Sequence, residues 1–258
     1  MTTPELANTA VPSDGASPPR TLAASENASS HRHATKPAPQ HQTTWSPCKA
    51  SLIGGIALFL LAVIAGLANF GVVEALVTPR DAVLTAKSLA DSETLFRLGI
   101  AALMVVVILD IVVACALMAL FESVNRSVAT MAAVFRIAYA TVFMVAISQL
   151  AGSLALLGNP DQALRAVADF HTIWGAGYAL FSVHLVLVGY LVYRSGFAPK
   201  FLGVLLIVAG LGYLLDEIGS VLVSGYALDI ARFSFVGEAV LIFWLLIKGV
   251  RLREDPMP

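Results

Sequence analysis

Six long apolar runs, near residues 51–73, 98–121, 128–150, 173–193, 201–223 and 233–250, alternate with short polar breaks. Each is close to the ~20 residues that an α-helix needs to cross a hydrocarbon layer. The runs are continuous rather than alternating. Backbone groups in lipid must find partners within their own segment, so the pattern predicts helices and not barrel strands. The expected fold is all-α: an integral membrane bundle of six transmembrane helices over 49–253.

The breaks carry their own signals. Thr78-Pro79-Arg80-Asp81 reads as an N-cap, a proline at the first helical position and an acid two residues on. Ala82, Val83, Ala86, Leu89 and Ala90 then share a face. Asn159-Pro160-Asp161-Gln162 repeats the start signal before Ala163, Leu164, Val167 and Ala168. Two short amphipathic helices on the outer membrane surface are expected. Gly196 and Pro199 read as the end of one helix and the start of the next. Six crossings put both termini on one side. Lys49, Arg126, Arg194, Lys200, Lys248, Arg251 and Arg253 flank that side, against Arg80, Lys87, Arg97, Arg165 and Arg232 on the other. This modest excess predicts cytoplasmic termini.

Residues 1–48 break the pattern. They hold seven of the twelve prolines, with Ser, Thr and Ala and no apolar period. Such a segment buries too little surface to offset its ordering entropy, and a disordered cytoplasmic tail is expected. His31, His33 and His41 lie in it as ordinary polar residues rather than a metal tract.

Composition sharpens the class. Charged residues make up 13%, hydrophobic residues 58%, and mean hydropathy is +0.81. Soluble domains carry about 25% charge, so an ordinary cytosolic protein is excluded. A net charge of −1 excludes a dedicated nucleic-acid binder. Two cysteines, Cys48 and Cys115, allow neither a disulfide framework nor a four-cysteine metal site.

Ionisable groups at membrane depth carry the functional expectation, because each costs roughly 2.5–3.5 kcal/mol to insert at a helix centre. Asp110 and Arg136 stand at equal distance from residue 123, the mean of 110 and 136, inside the break between runs two and three. In an antiparallel hairpin they share a depth of roughly 12–16 Å at 1.5 Å per residue. Arg136 shares its face with Ala129, Ala132, Ala133 and Ala140, which admit a close neighbour. A buried ion pair is expected. By the same reasoning Asp216 and Glu238, with Glu217 beside them, form an acidic cluster toward the outer side, open to a ligand, ion or proton. His184 lies midway along run four; a cross-helix hydrogen bond is the plainer reading, and a metal site with Asp216 and Glu238 the sharper one. No HExxH, GxSxG or phosphate-binding loop occurs.

Several strings form an ordered set: Leu95-Phe96-Arg97-Leu98-Gly99 ahead of Asp110, Val124-Asn125-Arg126-Ser127, Phe135-Arg136-Ile137, and His184 through Tyr190. Tyr193-Arg194-Ser195-Gly196-Phe197-Ala198-Pro199, Gly210 through Asp216, Gly237-Glu238 and Trp244 through Gly249 complete it. Over roughly 50–250 this resembles the family of bacterial multi-pass membrane proteins catalogued as domain of unknown function 4386. The resemblance implies six helices and a bacterial cytoplasmic (inner) membrane, and it implies no activity. The long proline-rich tail departs from the family's short N-terminus.

The combined expectation is a non-catalytic protein of the lipid bilayer, with no cofactor, no metal and no nucleic-acid partner. Its buried polar cavity would take a small molecule, ion or proton. Two alternatives are a metal-dependent intramembrane hydrolase using His184 and the acids, and a structural or sensory partner acting through the tail.

Overall fold

The computed structural model describes residues 45–226 and 230–251, without the side chains of 231–234 and 248–251. All of these residues fall within the unit Thr43–Pro258. The expected tail disorder and its histidines at 31, 33 and 41 lie outside the described residues.

Every regular element among the described residues is a helix, with no strand. Helix α1 (Pro47–Ala68) begins two residues inside the expected tail. Ser46 caps it by accepting from the Lys49 N–H, and Pro47 takes the first turn. A π-helical turn, Asn69–Val73, and the short α2 (Glu74–Leu76) extend it. Then come α3 (Ala82–Asp91), α4 (Glu93–Ala155), α5 (Pro160–Arg194), α6 (Lys200–Leu222) and α7 (Ala231–Arg251). Among the described residues, four stretches are long and apolar enough to cross a membrane: Pro47–Leu76, α4, α5 and α6. Their outward faces carry exposed Leu67, Ile108, Val134 and Val208, the surface a bilayer would cover.

Helix α4 is 63 residues long and contains one non-helical residue, Asn125, at φ −162° and ψ 103°. The chain reverses there. Arg136 reaches Asp110 at 2.6 Å, although 26 residues of straight helix would hold them about 39 Å apart at 1.5 Å per residue. The two arms, 93–124 and 126–155, are therefore antiparallel. Asn125 starts the second arm by accepting from the Val128 N–H through Oδ1.

The start of α3 lies three residues later than expected. Its cap is Asp81, which accepts from the Leu84 N–H, rather than Thr78. Thr78 is engaged instead with the Thr85 hydroxyl, through both its N–H and its carbonyl. Arg80 takes a left-handed φ of 66° to make the turn. The buried face is Thr85, Ala86 and Leu89, while Val83 and Ala90 are exposed.

The second expected surface helix does not exist separately. Asn159 does cap a helix there, accepting from the Gln162 N–H. With no glycine or proline between Asp161 and Trp174, that helix runs on as α5. Gly196, at φ +72°, separates α5 from α6.

Helices α5 and α6 meet backbone to backbone. A Cβ on Gly203 would lie 2.6 Å from the Gly189 carbonyl oxygen, and one on Gly210 2.7 Å from that of Ser182. The first and last of the described helices also touch. Ser51 donates its hydroxyl to the Leu245 carbonyl, and Gly55 packs against Leu245 and Leu246.

Candidate functional site

The bundle centre holds a chain of polar contacts contributed by three helical segments. Asp110 projects from the first arm of α4 and Arg136 from the second, and both are buried. Arg136 also donates to His184 Nε2 of α5 at 3.2 Å. The other ring nitrogen, Nδ1, lies 2.8 Å from the Ala132 carbonyl. A carbonyl only accepts and a guanidinium only donates, so the contacts assign the proton to Nδ1 and the lone pair to Nε2. His184 is thus a neutral imidazole whose lone pair is occupied by Arg136. Phe181, one turn away, sets its ring 5.4 Å from the guanidinium carbon.

Beside this chain lies a cavity of about 450 Å³. That far exceeds the roughly 30 Å³ share of one water molecule and falls within the 300–1,000 Å³ range of small-molecule sites. Leu58, Leu61, Val106 and Ile242 supply aliphatic wall. Tyr139, Phe143, Trp174, Tyr178, Phe181 and Tyr213 supply the aromatic wall. The rings brace one another. Trp174 donates its indole N–H to the Tyr139 hydroxyl at 2.9 Å, and Tyr178 stacks on Tyr213 with centroids 5.1 Å apart and planes 3° from parallel.

Polar groups face this apolar space. Asp110 and Arg136 line it, and so does Glu238 of α7, which accepts from the Tyr213 hydroxyl at 3.1 Å. Asn69, from the π-turn after α1, also lines it. Asn69 Oδ1 and Arg136 Nε are buried without a hydrogen-bond partner among the described residues, while Asp110 Oδ1 is held by its ion pair with Arg136. An unsatisfied buried polar group costs about 1–3 kcal/mol, so the two mark a place where a partner fits.

The acids expected to cluster do not share one site. Asp216 accepts from the Tyr226 hydroxyl at 2.7 Å, and Glu217 lies against Gly175; neither lines the cavity, whereas Glu238 does. The Tyr226 phenol, beyond the end of α6, is pushed up from its ordinary range by that hydrogen bond to the Asp216 carboxylate. Among the described residues no three His, Cys, Asp or Glu side chains gather as a metal set. Sequence reasoning overlooked Asn69 and the aromatic wall. A signal for the latter was present, since Trp174, Tyr178 and Phe181 repeat at helical spacing on one face of α5.

Among the described residues, an all-helical architecture with four membrane-length apolar helices around buried charges fits an integral membrane protein. The comparisons give it a family. The family described as "Domain of unknown function (DUF4386)" matches residues 53–249, and the chain belongs to it. An uncharacterized protein of Archaeoglobus fulgidus is 45% identical over 84 residues, covering 33% of this chain and 51% of that protein. The chain thus matches about half of that relative's length. That relative is archaeal, so the comparison does not support the expected bacterial source. No solved structure matches.

Proposed function

We propose that this is a non-catalytic membrane protein whose central cavity binds a small molecule with an apolar body and a polar head. The observation that carries this reading is the cavity of about 450 Å³, mostly apolar but faced by Asp110, Arg136, Glu238 and the unsatisfied Asn69 Oδ1. A ligand-sized space with a few convergent polar groups is the usual form of a small-molecule site. The placement of His184 supports a non-catalytic role, because its lone pair is held by Arg136 and is not presented to a metal or substrate. In the same reading the chain crosses the bilayer six times: once by α1 and its extension, twice by the arms of α4, and once each by α5, α6 and α7. Both termini are cytoplasmic, and the membrane is a cytoplasmic one.

Thermal unfolding in mild detergent tests the binding role. Purified protein is heated with a panel of neutral, acidic and basic small amphiphiles. At least one class is expected to raise the unfolding midpoint, as any ligand of the folded state does. Glu238→Gln or Asn69→Leu removes that shift while leaving the protein folded. A panel that shifts nothing at saturating concentration overturns the reading and makes the cavity a packing defect.

A further inference from the structure

We infer that the cavity opens sideways into the lipid, through a gap between α1 and α7, and that its occupant is a membrane-dissolved organic cation. This rests on the cavity's being a ligand site.

The gap follows from how the two helices diverge. At one end they are locked: Ser51 bonds to Leu245, and a Cβ on Gly55 would lie 3.1 Å from the backbone of Leu246. Toward the other end they part. A Cβ on Gly66 would meet nothing within 4 Å, yet Gly66 lines the cavity. Phe70 and Phe235 also line it while standing 73% and 54% exposed, so they form its rim. Leu67 and Val236 beside them are exposed as well. An opening to water would be edged with polar side chains; among the described residues this one is edged with apolar groups. The π-turn at Asn69–Val73 falls at the same place and brings Asn69 inward while Phe70 faces out.

The charge of the occupant follows from the groups inside. Arg136 is paired with Asp110, while Glu238 lies within electrostatic reach of both and takes its hydrogen bond from a neutral phenol. With Glu238 ionised, two carboxylates surround one guanidinium and leave a negative balance that a cation would complete, and His184 is neutral. The aromatic wall offers ring faces, which attract cations electrostatically. Asn69 Oδ1 adds an unsatisfied acceptor. A bare inorganic ion would want a shell of oxygens and would leave most of the space unfilled. A substituted ammonium on an alkyl or aryl body fits both the volume and the walls.

The test uses full-length protein in phosphatidylcholine vesicles. The probe is ω-bromododecyltrimethylammonium, whose bromine quenches indole fluorescence on contact, set against neutral ω-bromododecanol and the water-confined ω-bromobutyltrimethylammonium. A saturable quench by the long cation, absent from Trp174→Phe, is expected. Glu238→Gln weakens it by at least about tenfold, the size of one lost charge-assisted contact. Gly66→Phe, whose new side chain enters open space at the rim, slows the approach to saturation by about tenfold, a barrier increase of about 1.4 kcal/mol. Phe235→Ala, which widens the rim, speeds it. The short cation equilibrates no faster than the long one. Rates unchanged in both rim variants overturn the lateral opening. Equal affinity for the bromoalcohol, or an unaltered Glu238→Gln, overturns the cationic occupant. No saturable quench by any probe overturns the cavity reading itself, and this inference with it.

Discussion

Asp110 and Arg136 are each 3% exposed and 2.6 Å apart, so neither charge has water to fall back on. Removing one leaves the other buried and uncompensated, which costs about 3–5 kcal/mol. Asp110→Asn and Arg136→Gln are each expected to lose that much in denaturant unfolding from mixed micelles. The double variant should lose clearly less than the sum, and strict additivity would show the two residues to be uncoupled. The meeting of these side chains was legible from depth, because the reversal at Asn125 lies close to midway between them, together with the alanine face that Arg136 shares. Depth reasoning does less for Asp216 and Glu238. It sets their height along the bundle but not the rotation of each helix, and rotation turns Asp216 toward Tyr226 and Glu238 toward Tyr213. Asn69 was illegible for a different reason. Its inward placement depends on a local π-turn, and Asn-Phe-Gly-Val-Val carries no recognisable signal for one.

Among the elements, α5 and α6 depend most on a missing side chain. With Gly203 a hypothetical Cβ sits 2.6 Å from a carbonyl oxygen of the opposite helix, which cannot swing aside. Gly203→Leu is therefore expected to lower stability by about 3 kcal/mol or more, the upper range for overpacking. Gly66→Ala, in open space on α1, should be neutral or slightly stabilising, since Gly costs a helix up to about 1 kcal/mol relative to Ala. Unfolding midpoints of the two variants should move in opposite directions or differ sharply. Element boundaries were readable where a cap and a proline coincide, as at Asn159-Pro160. They were misread at Thr78-Pro79, where a threonine pair competes for the backbone and Asp81 takes over the cap. The long continuation of α5 was legible in principle, because nothing between Asp161 and Trp174 ends a helix.

For the molecule as a whole, the six crossings of the proposed topology make a labelling pattern. In a Cys48→Ser, Cys115→Ser background, single cysteines at Asn159 and Ser195 should react with a membrane-impermeant maleimide from opposite sides of sealed vesicles. A cysteine at Asn125 should behave like the one at Ser195. Any other assignment removes a crossing from the proposal. The hydrophobic pattern made the helical class plain, since each long run is apolar and uninterrupted. The buried charges pointed to a polar cavity, but its place and its mostly apolar, aromatic walls were not legible, because they are a shape left between six segments rather than a property of any one of them.

The bond from Ser51 to Leu245 joins residues 194 positions apart in the chain. It has a consequence for synthesis. The helix that supplies Glu238 and half the rim is the last of those described to leave the ribosome, and it docks against the first. Until it arrives, the side of the bundle where α7 belongs has no wall, and the polar interior stays open to whatever surrounds the nascent chain. Assembly of the described bundle therefore includes a closing step that mates the earliest-made of its described helices with the latest, and a chain that stalls before residue 231 presents an unsealed flank to the membrane's proteases.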